Sequence, residues 1–197
     1  MRYSNEHKAK TRQRVLKEAA REIRAKGPGG VAVAGVMARA GLTHGGFYAH
    51  FASKDELVAE AVGTMFDDAQ KRTRTIEPDG EPRRWLRAYL DFYLSPAHRD
   101  NPERGCPLPS LSGDLAREHG PARARFGLGV DALSHRIAEA LSALGHPDPE
   151  SDATAVLAQL VGAVALARAV ADPAQSDAIL ANAHANLIAR YELESAH

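Results

Sequence analysis

A chain of 197 residues, 44% apolar and 25% charged, can bury a substantial core, and its one cysteine excludes an intrachain disulfide or a thiolate zinc cluster. The net charge of zero conceals an asymmetry: residues 1–60 carry 11 Lys/Arg against 6 Asp/Glu, whereas residues 61–197 carry 14 against 19. All six lysines lie within the first 71 positions, so a polyanion partner suits the N-terminal part alone. The polar start MRYSNEHKAK lacks the apolar segment of a secretory signal, and the longest apolar run, 160–167, is short and closed by Arg168. A cytoplasmic protein with no membrane partner is expected.

In chain order, Val15, Leu16, Ala19, Ala20 and Ile23 recur at helical spacing within residues 7–26, and Gly27-Pro28 ends the run. A short helix over about 33–40 stops at Gly41, and Thr43 is placed to cap another over 44–50. Ser53-Lys54-Asp55-Glu56 reads as a capping box for a helix over 54–75, which ends before "EPDGEP". Trp85, Tyr89, Phe92 and Tyr93 mark one face of a helix over 82–95, and "HRDNPERG" reads as a loop. Cys106-Pro107 opens a helix to about 118, Pro121 starts one over 122–144 closed by Gly145, and two more cover about 151–171 and 174–194. The expected fold is all-α, with about nine helices and no sheet.

The stretch "LTHGGFYAHFASKDEL" (42–57) carries the strongest functional signal. Two short helices joined by "AGLT", with a longer one behind them, make a helix-turn-helix, for which a plain helical hairpin is the alternative. The second short helix presents donors at Thr43, His44, Tyr48, His50 and Lys54, while Phe47 and Phe51 face inward as apolar anchors. An interior glycine costs a helix about 1 kcal/mol relative to alanine. Gly45-Gly46 therefore points to a backbone that something must approach closely, such as a groove wall or phosphates.

"AGLTHGGFYAHFASKDELVAEAV" resembles the signature of the TetR (tetracycline-repressor, AcrR-like) family of bacterial transcriptional regulators, over about residues 10–62. The resemblance implies an N-terminal three-helix DNA-binding domain (1–53) and a C-terminal ligand-sensing and dimerisation domain (54–197). It places Thr43, His44, Gly45 and Tyr48 against bases or backbone in the major groove of a double-stranded operator, where Gly46 joins the candidate DNA-binding residues through the close approach that the glycine pair allows. It puts His50 and Lys54 on phosphates, with Arg39 and the arm residues Lys8, Lys10 and Arg12 as further phosphate contacts. Val31 and Ala32 stand where the family has Thr/Ser caps, Ala34 and Gly35 where it has small polar or charged residues, and Met37 where it has alanine. The first helix of the pair therefore lacks a side-chain cap, which costs about 1 kcal/mol, and is expected to fray.

Symmetric operators are read by symmetric dimers, so part of the acidic body should form a two-fold interface. Residues 153–167 are apolar nearly all round and rich in small side chains, and the last helix offers Ile179, Leu180, Ala183, Leu187 and Tyr191. These two helices, about 151–171 and 174–194, are assigned to a homodimer interface, as in the resembling family; a buried helix of the monomer core is the alternative. Met65, Trp85, Tyr89, Phe92, Leu111 and Phe126 are the large side chains available to line a site for a small-molecule effector, with core packing as their competing role.

Cys106, in "RGCPLPSL", sits where an N-cap belongs, with Pro107 next and Arg104 nearby. Helix amides and a cation both favour thiolate, which would make this cysteine reactive; an inert buried cysteine is the alternative. The Gly-Cys-Pro-Leu stretch is similar to one in the branch of the family that senses electrophiles and hypochlorite. No lysine follows Lys71, so oxidation would end in a sulfenic acid, a mixed or intersubunit disulfide, or an adduct. No catalytic residues, metal or cofactor are expected, since H-E-x-x-H, G-x-S-x-G and phosphate-cradling glycine loops are absent from the sequence. The competing class is a small helical thiol-dependent enzyme, with Cys106 as nucleophile and His119 or His135 as base. The reading is a repressor released from a palindromic operator by a ligand or by modification of Cys106.

Overall fold

The computed structural model describes the backbone of residues 2–76 and 80–194, with side chains from residue 6. Among these the chain forms nine α-helices and one 3-10 helix, with no strand: α1 (Arg2–Lys26), α2 (Val33–Arg39), the 3-10 helix (His44–Ala49), α3 (Lys54–Ile76), α4 (Pro82–Tyr93), α5 (Pro96–Arg99), α6 (Leu108–Leu115), α7 (Pro121–Ala143), α8 (Pro149–Ala169) and α9 (Pro173–Arg190). The start of "EPDGEP", residues 77–79, lies outside the described residues. The additional element is α5, where the sequence suggested a helix end and a loop. Ser95 is its N-cap, accepting from the His98 amide at 3.1 Å, and Pro96 occupies its first turn.

The same device starts other helices. An oxygen-bearing cap precedes proline at Glu81-Pro82, Asp148-Pro149 and Asp172-Pro173, and each cap accepts an otherwise orphaned amide, at 2.7 Å for Arg84, 3.3 Å for Ser151 and 3.0 Å for Ala174. Two expected caps are corrected. Thr43 makes no side-chain cap bond to the 3-10 helix, and the N-cap of α6 is Pro107, which puts Cys106 one position outside the helix. Pro107 already has helical dihedrals, and its carbonyl accepts from the Ser110 and Leu111 amides.

The chain folds into two compact units. The first comprises residues 1–68 and 106–129, and the second comprises 69–105 and 130–197. The residues of α3 and α7 are divided between the units, and α6 groups with the N-terminal helices. In the first unit Val15, Ala19, Ile23, Val36, Met37, Phe47, Phe51, Leu57, Val62, Met65, Leu111 and Leu115 are buried. Phe66 packs edge-on against Phe126 at 5.8 Å. A Cβ at Gly129 would lie 2.3 Å from the Phe66 ring, so this close approach requires glycine.

In the second unit the buried face of α4 carries Trp85, Tyr89 and Tyr93. Trp85 stacks on Tyr89 at 5.2 Å, and its indole N–H donates to the Thr73 carbonyl at 2.9 Å. Helices α8 and α9 pack together, with the Gln159 amide donating to the Ala183 carbonyl and Arg190 paired with Asp152 at 2.9 Å. By length and composition α8 could cross a bilayer, which the 160–167 run alone did not suggest. One side of it, with Ala153, Val156, Leu157, Leu160 and Val164, is buried within the unit.

His98, 3% exposed, closes the loop after α4. Its Nδ1 lies 2.7 Å from the Tyr93 carbonyl, which makes it the N–H donor of the neutral ring. Burial pushes the imidazole down to about 4; the Tyr93 bond opposes this, and the Arg168 and Arg72 charges add to it. The unfolded chain therefore binds a proton that the folded chain refuses between about pH 6.5 and pH 4, so His98 makes stability fall as pH drops through that window. Its share reaches about 3 kcal/mol by pH 4. Denaturant melts of wild type and His98→Asn across this range should show a flatter pH dependence in the variant, by up to one proton.

Candidate nucleic-acid interface

The candidate interface lies within the first unit. Its turn is a Schellman motif: the Leu42 amide donates to the Met37 carbonyl at 2.9 Å and the Gly41 amide to Ala38 at 3.0 Å, with Gly41 at φ 73°. Only a residue that tolerates positive φ fits there, which is why α2 stops at that point. The next helix is 3-10 rather than α. Gly46 donates to Thr43 and His50 to Phe47, at 3.1 and 2.9 Å. Phe47 and Phe51 are both buried and stack at 5.6 Å, anchoring the helix by its inner side. Tyr48, edge-on to Phe47 at 5.2 Å, is 74% exposed.

The outward side therefore carries Thr43, His44, Gly45 and Tyr48, all exposed, with Gly46 half-buried. A Cβ on Gly45 would meet nothing within 4 Å, and one on Gly46 would make ordinary contacts at 3.8 Å with Met37 and Thr43. Neither glycine is required by packing inside the chain, so the space above Gly45 is available to a partner. Lys54, exposed at the start of α3, donates to the Gly29 carbonyl at 3.2 Å and keeps two ammonium protons for another acceptor. It also lines a cleft of about 250 Å³ with Pro28, Gly29, Asp55 and His119.

The expected fraying of α2 meets a device that the sequence reading missed. Ala32 supplies no cap, but the buried carboxylate of Glu22, on α1, receives Arg39 from the other end of α2, and the Ala32 backbone helps to favour its charged form. Burial raises the Glu22 carboxyl, and the Arg39 and Lys26 hydrogen bonds more than offset this, holding it below the ordinary range. Arg39 is thus paired to Glu22, and to Glu18 at 3.5 Å. Glu18 and Glu22 stand one turn apart on α1, the only sequence signal for this clasp.

His50 is half-buried, with an Nδ1 that is buried and has no hydrogen-bond partner. Burial, then the Lys8 and Arg12 charges, lower its pKa, so the ring is neutral at physiological pH. Ser53 caps the Glu56 amide at 3.1 Å; in return Glu56 accepts from Ala52 at 2.6 Å, one residue earlier than a reciprocal capping box would have it.

The residues proposed for effector sensing divide between the units. Met65, Cys106 and Leu111 are buried in the first, with Phe126 half-buried. Trp85 and Tyr89 are buried in the second, where Phe92 is half-buried beside His98 at 5.2 Å. The second unit also has a cleft of about 450 Å³ lined by Thr73, Arg74, Leu133, His135, Arg136 and Glu139, rather than by the large aromatic side chains singled out from sequence. Among the described residues no His/Cys/Asp/Glu group is arranged to hold a metal ion.

A tight turn between α2 and an anchored short helix with an open outer face defines a helix-turn-helix regulator of transcription. Residues 15–61 match the family model of bacterial regulatory proteins of the tetR family, and residues 80–184 match the tetracyclin repressor-like C-terminal domain. The chain belongs to the TetR family and is a DNA-binding transcriptional regulator. Its fold is shared with NemR of Escherichia coli in its reduced form (TM-score 0.78, 20% identity, covering 90% of this chain and 95% of that one). It is shared as well with TetR-family regulators from Agrobacterium tumefaciens (0.75, 21%, 91% and 98%) and Chloroflexus aurantiacus (0.75, 23%, 93% and 95%). No curated protein sequence matches the chain.

Two outcomes follow for DNA binding. Tyr48→Ala and Lys54→Ala should each weaken binding to all duplexes, with Lys54→Ala lowering the slope of log K against log salt by about one unit. Titrations of both variants at several salt concentrations check this, and unchanged binding would remove these side chains from the interface. Gly45→Leu, entering open space, should leave the thermal midpoint within a few degrees of wild type while sharply reducing DNA affinity. Retained affinity in a folded Gly45→Leu would mean that nothing approaches that backbone.

Proposed function

We propose that the chain is a cytoplasmic homodimeric repressor that reads a palindromic operator with residues 43–54. A small ligand, or electrophile or oxidant modification of Cys106, would release it. The observation that carries this reading is the 3-10 helix, anchored by two buried phenylalanines while Thr43, His44, Gly45 and Tyr48 face outward. Residues 1–53 act as the reading module, and 54–197 sense and dimerise. Support for a two-fold interface comes from the outer side of α8, where Ala155, Ala158 and Leu166 are exposed on an otherwise apolar helix. Leu166, in the last turn of α8, is 59% exposed, and only where it adjoins other exposed apolar positions does it mark a patch. A second copy of α8 and α9 would cover it.

Cys106 is buried immediately before α6, whose Leu108, Leu111 and Leu115 are buried as well. With hypochlorous acid the thiolate gains the oxygen and chlorine leaves as chloride, so sulfur is oxidised to sulfenic acid and Cl(I) is reduced. With an unsaturated carbonyl compound, sulfur bonds to the β-carbon and a solvent proton goes to the α-carbon. Either product adds volume and polarity at a packed position, which favours a rearranged α6. Release follows only if the modified state binds DNA worse by a few kcal/mol. The structural neighbour NemR is described in a reduced form, a reason to try oxidant first. A thiol enzyme is the weaker reading, because Cys106 is buried while His119 and His135 are both exposed.

The test treats wild type and Cys106→Ser with hypochlorite and measures affinity for a duplex that wild type selects from a random pool. Wild type should lose affinity about 100-fold or more, as a few kcal/mol requires, and Cys106→Ser should retain it. Equal behaviour of the two proteins would make the cysteine structural and leave release to a small ligand.

A further inference from the structure

Arg12 stands among the basic residues of α1 that a polyanion would be thought to meet, yet its guanidinium is directed inward. Both terminal nitrogens bond the Glu60 carboxylate as a fork, one of them at 2.6 Å, and that nitrogen also reaches Glu56 at 3.2 Å. Its Nε donates to the His50 carbonyl at 3.2 Å, and the guanidinium carbon lies 4.5 Å over the Phe51 ring. The Glu60 hydrogen bond raises the Arg12 pKa, and the same bond lowers that of Glu60. The guanidinium is thus engaged by two carboxylates, a carbonyl and a ring, which leaves it little to offer an approaching phosphate.

The places that Arg12 grips are consecutive. His50 is the C-cap of the 3-10 helix, where carbonyls lose their helical partners, and Arg12 satisfies the His50 carbonyl. Phe51 lies under the guanidinium, and the Ala52 amide is taken by Glu56, itself a partner of Arg12. The exit of the short helix, residues 50–52, is therefore fixed at each residue by a cluster that joins α1 to α3.

We propose that Arg12 is a positioning residue of the recognition helix and not a phosphate contact, with Glu60 as its partner. The proposal rests on the reading that the 3-10 helix meets DNA. Without the fork the helix exit keeps its phenylalanines and the Glu56 bond to Ala52 but loses the hold on the His50 carbonyl, and the outward row is free to tilt. Sequence discrimination should then suffer more than general affinity for DNA, because base contacts need an orientation that phosphate contacts do not.

Arg12→Lys and Glu60→Gln separate the two roles. A phosphate contact tolerates lysine, which keeps the charge; a bidentate, stacked clamp does not. Removing a carboxylate beside a DNA site strengthens binding by charge alone, whereas loss of the clamp weakens it. The probe is the duplex that wild type selects from a random pool, with a scrambled duplex as control. Arg12→Lys and Glu60→Gln should each bind the selected duplex about tenfold more weakly, bind the scrambled duplex nearly as wild type does, and keep the wild-type salt slope. In the DNA-free protein, hydrogen exchange at amides 50–52 should speed up in both. Wild-type affinity in Arg12→Lys, or tighter binding by Glu60→Gln, overturns the proposal. A wild-type protein that selects no duplex overturns the DNA reading beneath it, a result distinct from either.

Discussion

A 3-10 helix of six residues does not hold its own shape in water: its hydrogen bonds are poorly aligned, and helices of this length are unstable in isolation. Here the six residues 44–49 also include two adjacent glycines, which widen the unfolded ensemble further. The proposed reading surface can have a definite orientation only if the surrounding chain imposes it. Much of the first unit answers that need. A Schellman turn fixes the entry, Phe47 and Phe51 hold the inner side, and a cluster of Arg12, Glu56 and Glu60 holds the exit. The preceding helix is short and uncapped as well, and a carboxylate from α1, Glu22, holds it through Arg39.

Buried or half-buried ion pairs are weak evidence for stability, because desolvation offsets much of their attraction. Their value in this module lies in direction. The fork of Arg12 on Glu60 and the single bond of Arg39 to Glu22 each join residues far apart in sequence, and each ties down one short helix. An apolar pair of similar volume would hold the helices together but would tolerate rotation. A surface that must match base edges cannot allow such freedom.

The parts of this fold that were legible in the sequence are those governed by neighbours in the chain. Helix starts at Pro82, Pro121 and Pro173 and stops at Gly27, Gly41 and Gly145 were readable because proline and glycine act on their own dihedrals. The same rule, applied too bluntly, hid α5: Ser95-Pro96 ends one helix and also begins the next. Cys106 was placed one position too far into α6 because Pro107 enters the helical region before the first helical residue. The donors of the reading surface were legible as chemistry, but the 3-10 geometry that spaces them was not. The clasp of Glu22 on Arg39 left only the spacing of Glu18 and Glu22 as a trace in the sequence, and the clamp of Arg12 on Glu60 left none. Their partners lie 17 and 48 positions apart, and nothing local distinguishes a paired arginine from a solvated one.

Residues 43–50 are proposed as the surface placed against DNA. Hydrogen exchange of the wild-type protein, alone and with the duplex it selects from a random pool, tests it most directly. Slower exchange is expected at amides 43–50 in the complex, with amides of α8 and α9 unchanged. Protection that leaves 43–50 untouched while appearing elsewhere in the chain would contradict it.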